Sequence, residues 1–130
     1  MRKWLAGAVL ACQAVWPAAA AELVMFERPG CAWCEAFDRE IGAVYGKTAE
    51  GRLAPLRRVD LTQVIPADLK FIAVERVTPL FVLVDKGREV GRIRGYPGEN
   101  HFWGLLAALT ARLGDTKPIS TGSAARAATQ

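Results

Sequence analysis

Apolar positions change their spacing several times along this chain, and each change predicts an element. Leu23 to Phe26 is an unbroken apolar run closed by Glu27-Arg28-Pro29-Gly30, which predicts a buried strand and a sharp turn. From Cys31 the period becomes helical. Cys34, Phe37, Ile41, Val44 and Tyr45 fall on one face, with Glu35, Asp38, Arg39 and Glu40 mostly opposite. The helix is expected to start at or just before Cys31, and residues 46–51 read as a polar loop. Leu56 to Leu61 predicts a second strand despite its Arg57-Arg58 pair. Pro66-Ala67-Asp68 can open a short helix, with Leu69, Ile72 and Ala73 facing inward. Leu80 to Val84 is apolar without alternation, as in a central strand. Asp85-Lys86-Gly87-Arg88 signals a hairpin, and Glu89 to Arg94 returns as an antiparallel strand. There Arg92 and Arg94 share a face with Val90, which suits a sheet edge. The last helix carries Phe102, Leu105, Leu106, Leu109 and Leu113 on one stripe, with Gly114 as its C-cap. Trp103 falls off that stripe and is expected to be exposed, while His101 lies on the polar side as a solvated residue.

The order strand, helix, strand, helix, strand, strand, helix defines an α/β chain (βαβαββα). Its parallel strands require right-handed crossovers, giving a four-stranded mixed sheet with helices on both faces. The two ends do not join this pattern. Arg2 and Lys3, the largely apolar Trp4 to Trp16, Pro17 and then Ala19-Ala20-Ala21 have the order of a secretory signal. Cleavage is expected close to Ala20 or Ala21, so that residues 1–21 form the leader and residues 22–114 the domain. Val9-Leu10-Ala11-Cys12 loosely resembles a lipobox that would anchor the protein through Cys12. Leu10 is atypical there and the preceding apolar run is very short, which favours Cys12 as one more apolar leader residue. Residues 115–130 are rich in Ser, Thr, Ala and Gly with isolated charges, and are expected to form a disordered tail.

Charge changes little of this picture. The 130 residues carry a formal charge of +4, but removing Arg2 and Lys3 takes 17 basic residues to 15 against 13 acidic ones, or +2. No basic block interleaved with aromatics remains, so nucleic-acid binding has no support. Of three cysteines, Cys31 and Cys34 stay in the domain, three positions apart.

That spacing at a helix start is what dithiol chemistry requires. The first thiol lies where unpaired backbone N–H groups and the helix dipole favour an anion, which lowers its pKa and makes it the nucleophile. The second lies one turn in, on the apolar face, shielded until a mixed disulfide has formed. Cys31 is therefore expected to attack and Cys34 to resolve. A purely structural disulfide at this spacing closes almost no loop and constrains the unfolded chain very little. Zinc needs about four ligands, and His101 with scattered carboxylates does not supply them. A Cu(I) site of two thiolates stays open as a metal-handling alternative. Trp33, between the cysteines, can only be half covered, either as a docking surface or as a lid over the disulfide. Tyr96, Phe102 and Trp103 form an aromatic group of the kind that usually belongs to a core.

Val24 to Cys34, Thr78-Pro79, Asp85-Lys86-Gly87 and Gly95-Tyr96 resemble the thioredoxin superfamily in the same order, over nearly all of residues 22–113. Arg28-Pro29-Gly30 looks closer to its glutaredoxin-like and small periplasmic branches. More narrowly, Met25-Phe26-Glu27-Arg28-Pro29-Gly30-Cys31, Ala54-Pro55-Leu56-Arg57-Arg58-Val59-Asp60, Gly95-Tyr96-Pro97-Gly98 and Phe102-Trp103-Gly104-Leu105-Leu106 resemble the small periplasmic thioredoxins encoded with sulfur-oxidation (Sox) clusters, the SoxS type. The resemblance implies a cis Pro79 facing the dithiol, with Thr78 offering backbone hydrogen bonds to a substrate strand. It further implies a monomeric periplasmic thiol–disulfide oxidoreductase without metal or organic cofactor. Electrons would come from a membrane thiol donor of the DsbD or CcdA kind, and the client would be a sulfur carrier of SoxYZ type. Ala32-Trp33 does not set the direction of exchange, so an oxidase or isomerase of DsbA type is the alternative. One departure stands out: Met25 occupies the position where thioredoxins usually carry a buried acid. Arg58 matches the position of a lysine that commonly accompanies that acid, and is expected to help hold the thiolate. Glu27 is expected to point to the other face as a solvated strand-end charge.

Overall fold

A computed structural model describes residues 21–114. The expected leader, apart from Ala21, and the expected tail lie outside the described residues. Four strands, β1 (Ala21–Glu27), β2 (Leu56–Asp60), β3 (Leu80–Asp85) and β4 (Arg88–Arg94), form one sheet in the order β2-β1-β3-β4. β1 runs parallel to β2 (Leu23 opposite Leu56) and antiparallel to β3 (Phe26 opposite Leu80), and β3 pairs antiparallel with β4. The expected mixed sheet is therefore present. The apolar runs without alternation are the two central strands, buried on both faces, and β4 is an edge as its arginines predict. Lys86 (φ 50°) and Gly87 (φ 74°) make the β3–β4 turn, both in the left-handed region that matches the twist of a tight hairpin.

One face of the sheet carries the helices. Leu23 and Met25 of β1 and Phe81 and Leu83 of β3 bury against Cys34, Phe37, Ile41, Tyr45, Phe102 and Leu106. The covering elements are α1 (Ala32–Phe37), a π-helical segment Asp38–Gly42, α2 (Ala43–Tyr45), α3 (Ala49–Leu53) and α4 (Glu99–Thr110). The wide π turn shifts the helical phase, so Tyr45 is buried and Val44, expected inside, is 45 % exposed. Residues 46–51 are not all loop. Thr48 caps α3 by accepting a hydrogen bond from the Gly51 N–H at 3.0 Å and donates to the Tyr45 carbonyl at 2.7 Å. The cap signal Thr48-x-x-Gly51 is too short and polar to stand out from a loop.

In α4 the buried stripe is narrower than expected, with Phe102, Leu106 and Leu109 inside. Leu105 is 46 % exposed, whereas Trp103, expected outside, is half-buried. The reason is tertiary: the Tyr45 ring stacks on the Trp103 indole, with centroids 6.1 Å apart and planes 7° apart. A final 3-10 turn, Ala111–Gly114, ends the described chain.

The opposite face is covered by the connection from β2 to β3. Leu69 and Ile72 bury on Val24, Phe26, Val59, Leu80, Val82 and Val84. The helix expected from Pro66 is a single 3-10 turn, Ala67–Leu69, which is enough to turn Leu69 and Ile72 inward and leaves Ala73 exposed. Charges on the edge strand tie this connection down. Arg92 binds Glu75 at 2.8 Å and the Ala73 carbonyl at 2.9 Å, and Arg94 binds Glu75 at 2.7 Å. No helix among the described residues is long and apolar enough to cross a membrane.

Candidate active site

The dithiol stands where β1 gives way to α1. Gly30 (φ 75°) takes the left-handed conformation that turns the chain, and the Cys31 N–H donates to the Arg28 carbonyl at 3.3 Å. Cys31 is then the extended N-cap of α1 (φ −82°, ψ 106°), so the helix begins at Ala32, one residue after the position its period predicts. Its Sγ accepts a hydrogen bond from the Cys34 N–H at 3.2 Å. A sulfur there replaces the oxygen of an ordinary cap and satisfies one of the orphan donors of the first turn. Cys31 and Cys34 are joined as a disulfide with their Cα atoms 5.2 Å apart. Cys34 is 4 % exposed and belongs to the core, while Cys31 is only half-buried. The first cysteine is partly open and the second is covered, an asymmetry suited to intermolecular attack at the first and intramolecular attack from the second.

Trp33 is 63 % exposed beside the disulfide, more open than half cover. The Thr78-Pro79 bond is cis. Register places it at the dithiol end of the sheet: Leu80 pairs with Phe26, so Pro79 stands level with Glu27, four residues before Cys31. Pro79 is buried and its carbonyl accepts from the Gly95 N–H at 2.8 Å, while Thr78 is half-buried. Tyr96 and Phe102 are core residues as expected, in edge contact with Phe37, one turn beyond Cys34. His101 is exposed on α4.

A polar cleft of about 300 Å³ opens beside the disulfide, lined by Glu27, Arg28, Pro29, Gly30, Cys31, Cys34, Glu35, Asp38, Arg58 and Asp60. Glu27 is therefore not on the other face. It is two residues beyond Met25, and side chains alternate along a strand, so both project toward the helical layer. Arg58 Nη1 donates to Glu27 Oε2 at 2.8 Å, and Arg58 Nη2 to Asp38 Oδ1. Arg58 is thus committed to two carboxylates at the cleft rather than standing as an unpaired cation beside the thiolate. Its guanidinium is held more firmly protonated by the hydrogen bond it donates to Asp38 first, with Glu27 adding to it. Asp60 is held below the usual carboxylate range by the Thr62 N–H and then its hydroxyl. The sequence pattern does not mark Asp38 and Asp60 as part of the site. The strand alternation could have placed Glu27; nothing local could have placed Asp38, which sits in the π turn.

Neither a family model nor a curated protein sequence matches this chain. Solved structures do. The thioredoxin of Fasciola hepatica shares 23 % identity over 69 % of this chain and 81 % of its own, with a TM-score of 0.53. A thioredoxin-fold protein from Helicobacter pylori shares 22 % over 76 % of this chain and 74 % of its own, at 0.57. Both show the fold. The periplasmic thioredoxin SoxS of Paracoccus pantotrophus, solved in its reduced form, shares 43 % identity over 71 % of this chain and 97 % of its own, with a TM-score of 0.66. With a CxxC pair closed as a disulfide at the start of α1, the chain belongs to the thioredoxin superfamily and is a thiol–disulfide oxidoreductase. Within that superfamily it is SoxS-like.

Proposed function

We propose that this protein is a periplasmic reductase that keeps a cysteine of a sulfur-oxidation carrier, of SoxYZ type, in its reduced state. The observation that carries the reading is the unequal burial of the two cysteines at the helix start, in a chain 43 % identical to a periplasmic SoxS. Cys31 attacks the client disulfide as a thiolate, stabilised by the Cys34 N–H and the first turn of α1. Cys34 then attacks Cys31, releasing the client thiol and leaving the Cys31–Cys34 disulfide. Trp33, Thr78 and Pro79 receive the client: the exposed indole supplies apolar area, and Thr78 supplies backbone groups to an extended segment. Residues 1–21 export the chain, which works as a monomer. Two electrons return to the disulfide from a membrane donor of DsbD or CcdA kind.

Exchanging Cys34 for Ser removes the resolving thiol, so the variant should retain its client on Cys31, releasable by dithiothreitol. Recovery of a carrier protein of sulfur oxidation is the expected result, and recovery of no mixed disulfide would sink the proposal. Direction is read by equilibration with glutathione. A potential near the roughly −270 mV of thioredoxin fits a reductase, and one near the roughly −120 mV of DsbA would make it an oxidase.

A further inference from the structure

Resolution of a mixed disulfide requires that the buried thiol become a thiolate, and Cys34, 4 % exposed on the apolar face of α1, is shielded from solvent. Burial raises a thiol pKa, so the step needs a nearby base. The carboxylates sharing its cleft are Glu27, Glu35, Asp38 and Asp60, with Arg28 and Arg58 as the cations. Glu35 is exposed on the outer side of α1. Asp60 is occupied by Thr62, whose N–H and hydroxyl hold its carboxylate below the usual range. Asp38 turns both oxygens to Arg58, Oδ1 to Nη2 and Oδ2 to Nη1 at 3.5 Å. Glu27 differs from all three. Its side chain is 23 % exposed against 44 % for Asp38, and only its Oε2 is bound, leaving Oε1 without a hydrogen bond among the described residues.

We propose that Glu27 is the base that deprotonates Cys34 when the mixed disulfide is resolved, and that Arg58 is its positioning residue. This role presupposes the dithiol exchange described under the proposed function. The Cys34 proton passes to Glu27 Oε1, directly or across one water. The Cys34 sulfur attacks Cys31 Sγ, the Cys31–client S–S bond breaks, and the client sulfur leaves with the electron pair as a thiolate. The dithiol is oxidised by two electrons, the client is reduced by two, and the proton moves from Glu27 to the departing thiolate or to solvent. Arg58 bridges Glu27 on β1 to Asp38 in the π turn, which fixes the carboxylate at the cleft beside the helix.

A symmetric aromatic disulfide, bis-nitrobenzoate disulfide, separates the steps when mixed with the reduced protein in a stopped-flow instrument. Cys31 attack releases the first coloured thiolate in a phase that depends on probe concentration. Cys34 attack releases the second in a concentration-independent phase. Glu27→Gln should slow the second phase about a hundredfold near pH 6, at the modest end for a positioned base, and by much less near pH 9, where solvent hydroxide deprotonates Cys34 unaided. The first phase should stay within about twofold, and Glu27→Asp, which keeps a carboxylate on β1, should recover most of the lost rate. A second phase unchanged in Glu27→Gln, slowed equally at every pH, or slowed equally in Glu27→Asp would overturn the assignment. Absence of the first phase in the unaltered protein would instead refute dithiol exchange itself.

Discussion

Replacing Gly51 by Ala sets two readings of the same residue against each other. Gly51 lies inside α3, where glycine is a poor helix former, and local propensity alone predicts that Ala stabilises by about 0.5–1 kcal/mol. The tertiary structure predicts the opposite sign. A Cβ on Gly51 would stand 1.9 Å from the Tyr45 carbonyl oxygen and 2.7 Å from its carbon, both backbone atoms that cannot rotate aside. Relief to the 3.0 Å that real Cβ contacts respect needs a separation of at least 1.1 Å (3.0 minus 1.9) between α3 and the end of α2. Hydrogen bonds bind these segments: Thr48 Oγ1 accepts from Gly51 N–H at 3.0 Å and donates to the Tyr45 carbonyl at 2.7 Å, the Thr48 N–H donates to the same carbonyl at 3.0 Å, and the Tyr45 hydroxyl donates to the Ala54 carbonyl at 2.7 Å. Loss of a cap and of two such bonds costs about 1 kcal/mol each. Set against the propensity gain, the net loss is about 2 kcal/mol, or about 8–16 °C in Tm for a domain of this size. Urea unfolding of the oxidised protein measures it, with Gly104→Ala as the comparison. Nothing lies within 4 Å of a Cβ at Gly104 in the exposed side of α4, so Ala there should stabilise by about 0.5–1 kcal/mol. If Gly51→Ala were as stable as the unaltered protein, the close approach of α3 to Tyr45 would be wrong.

The chain has two tyrosines, and each is pushed well above its ordinary pKa: Tyr45 by burial and then by Glu50, Tyr96 by burial and then by its hydrogen bond to Glu40. A raised folded-state pKa favours the neutral phenol, so its stabilising contribution is complete below the unfolded value of about 10 and is lost as pH rises toward the folded one. Tyrosinate absorbance should therefore stay low through about pH 10 and rise only together with loss of near-UV circular dichroism; a rise centred near 10 in folded protein contradicts the packing of both rings. At the other end of the chain, Ala21 is 5 % exposed and pairs with Asp85 as the first residue of β1. Under the proposed export, cleavage after Ala20 or Ala21 leaves the rest of β1 paired, so the intact mass should correspond to a chain starting at Ala21 or Glu22, and a later start would rule this out.

Most of the framework is legible in the order of residues because its causes are local. Unbroken apolar runs mark strands buried on both faces, Lys86-Gly87 sets a turn that needs two positive φ angles, and a cysteine at a helix start becomes its cap wherever the rest of the chain lies. The chemistry of the dithiol was accordingly visible from Cys31, Cys34 and their neighbours. What escaped was decided between elements. The π turn left Tyr45 inside as its period predicts but moved Val44 outward, and the Tyr45 ring covers Trp103 while Leu105 is left exposed. The surroundings of the cysteines were settled in the same way. Glu27 from β1, Arg58 from β2 and Asp38 from the helix meet only because β1 and β2 pair in parallel beneath the helical layer, Met25 opposite Arg58. Periodicity says which face of its own element a side chain occupies. Which charges share a cleft depends on the register and spacing of segments distant in sequence, and that is fixed by packing alone.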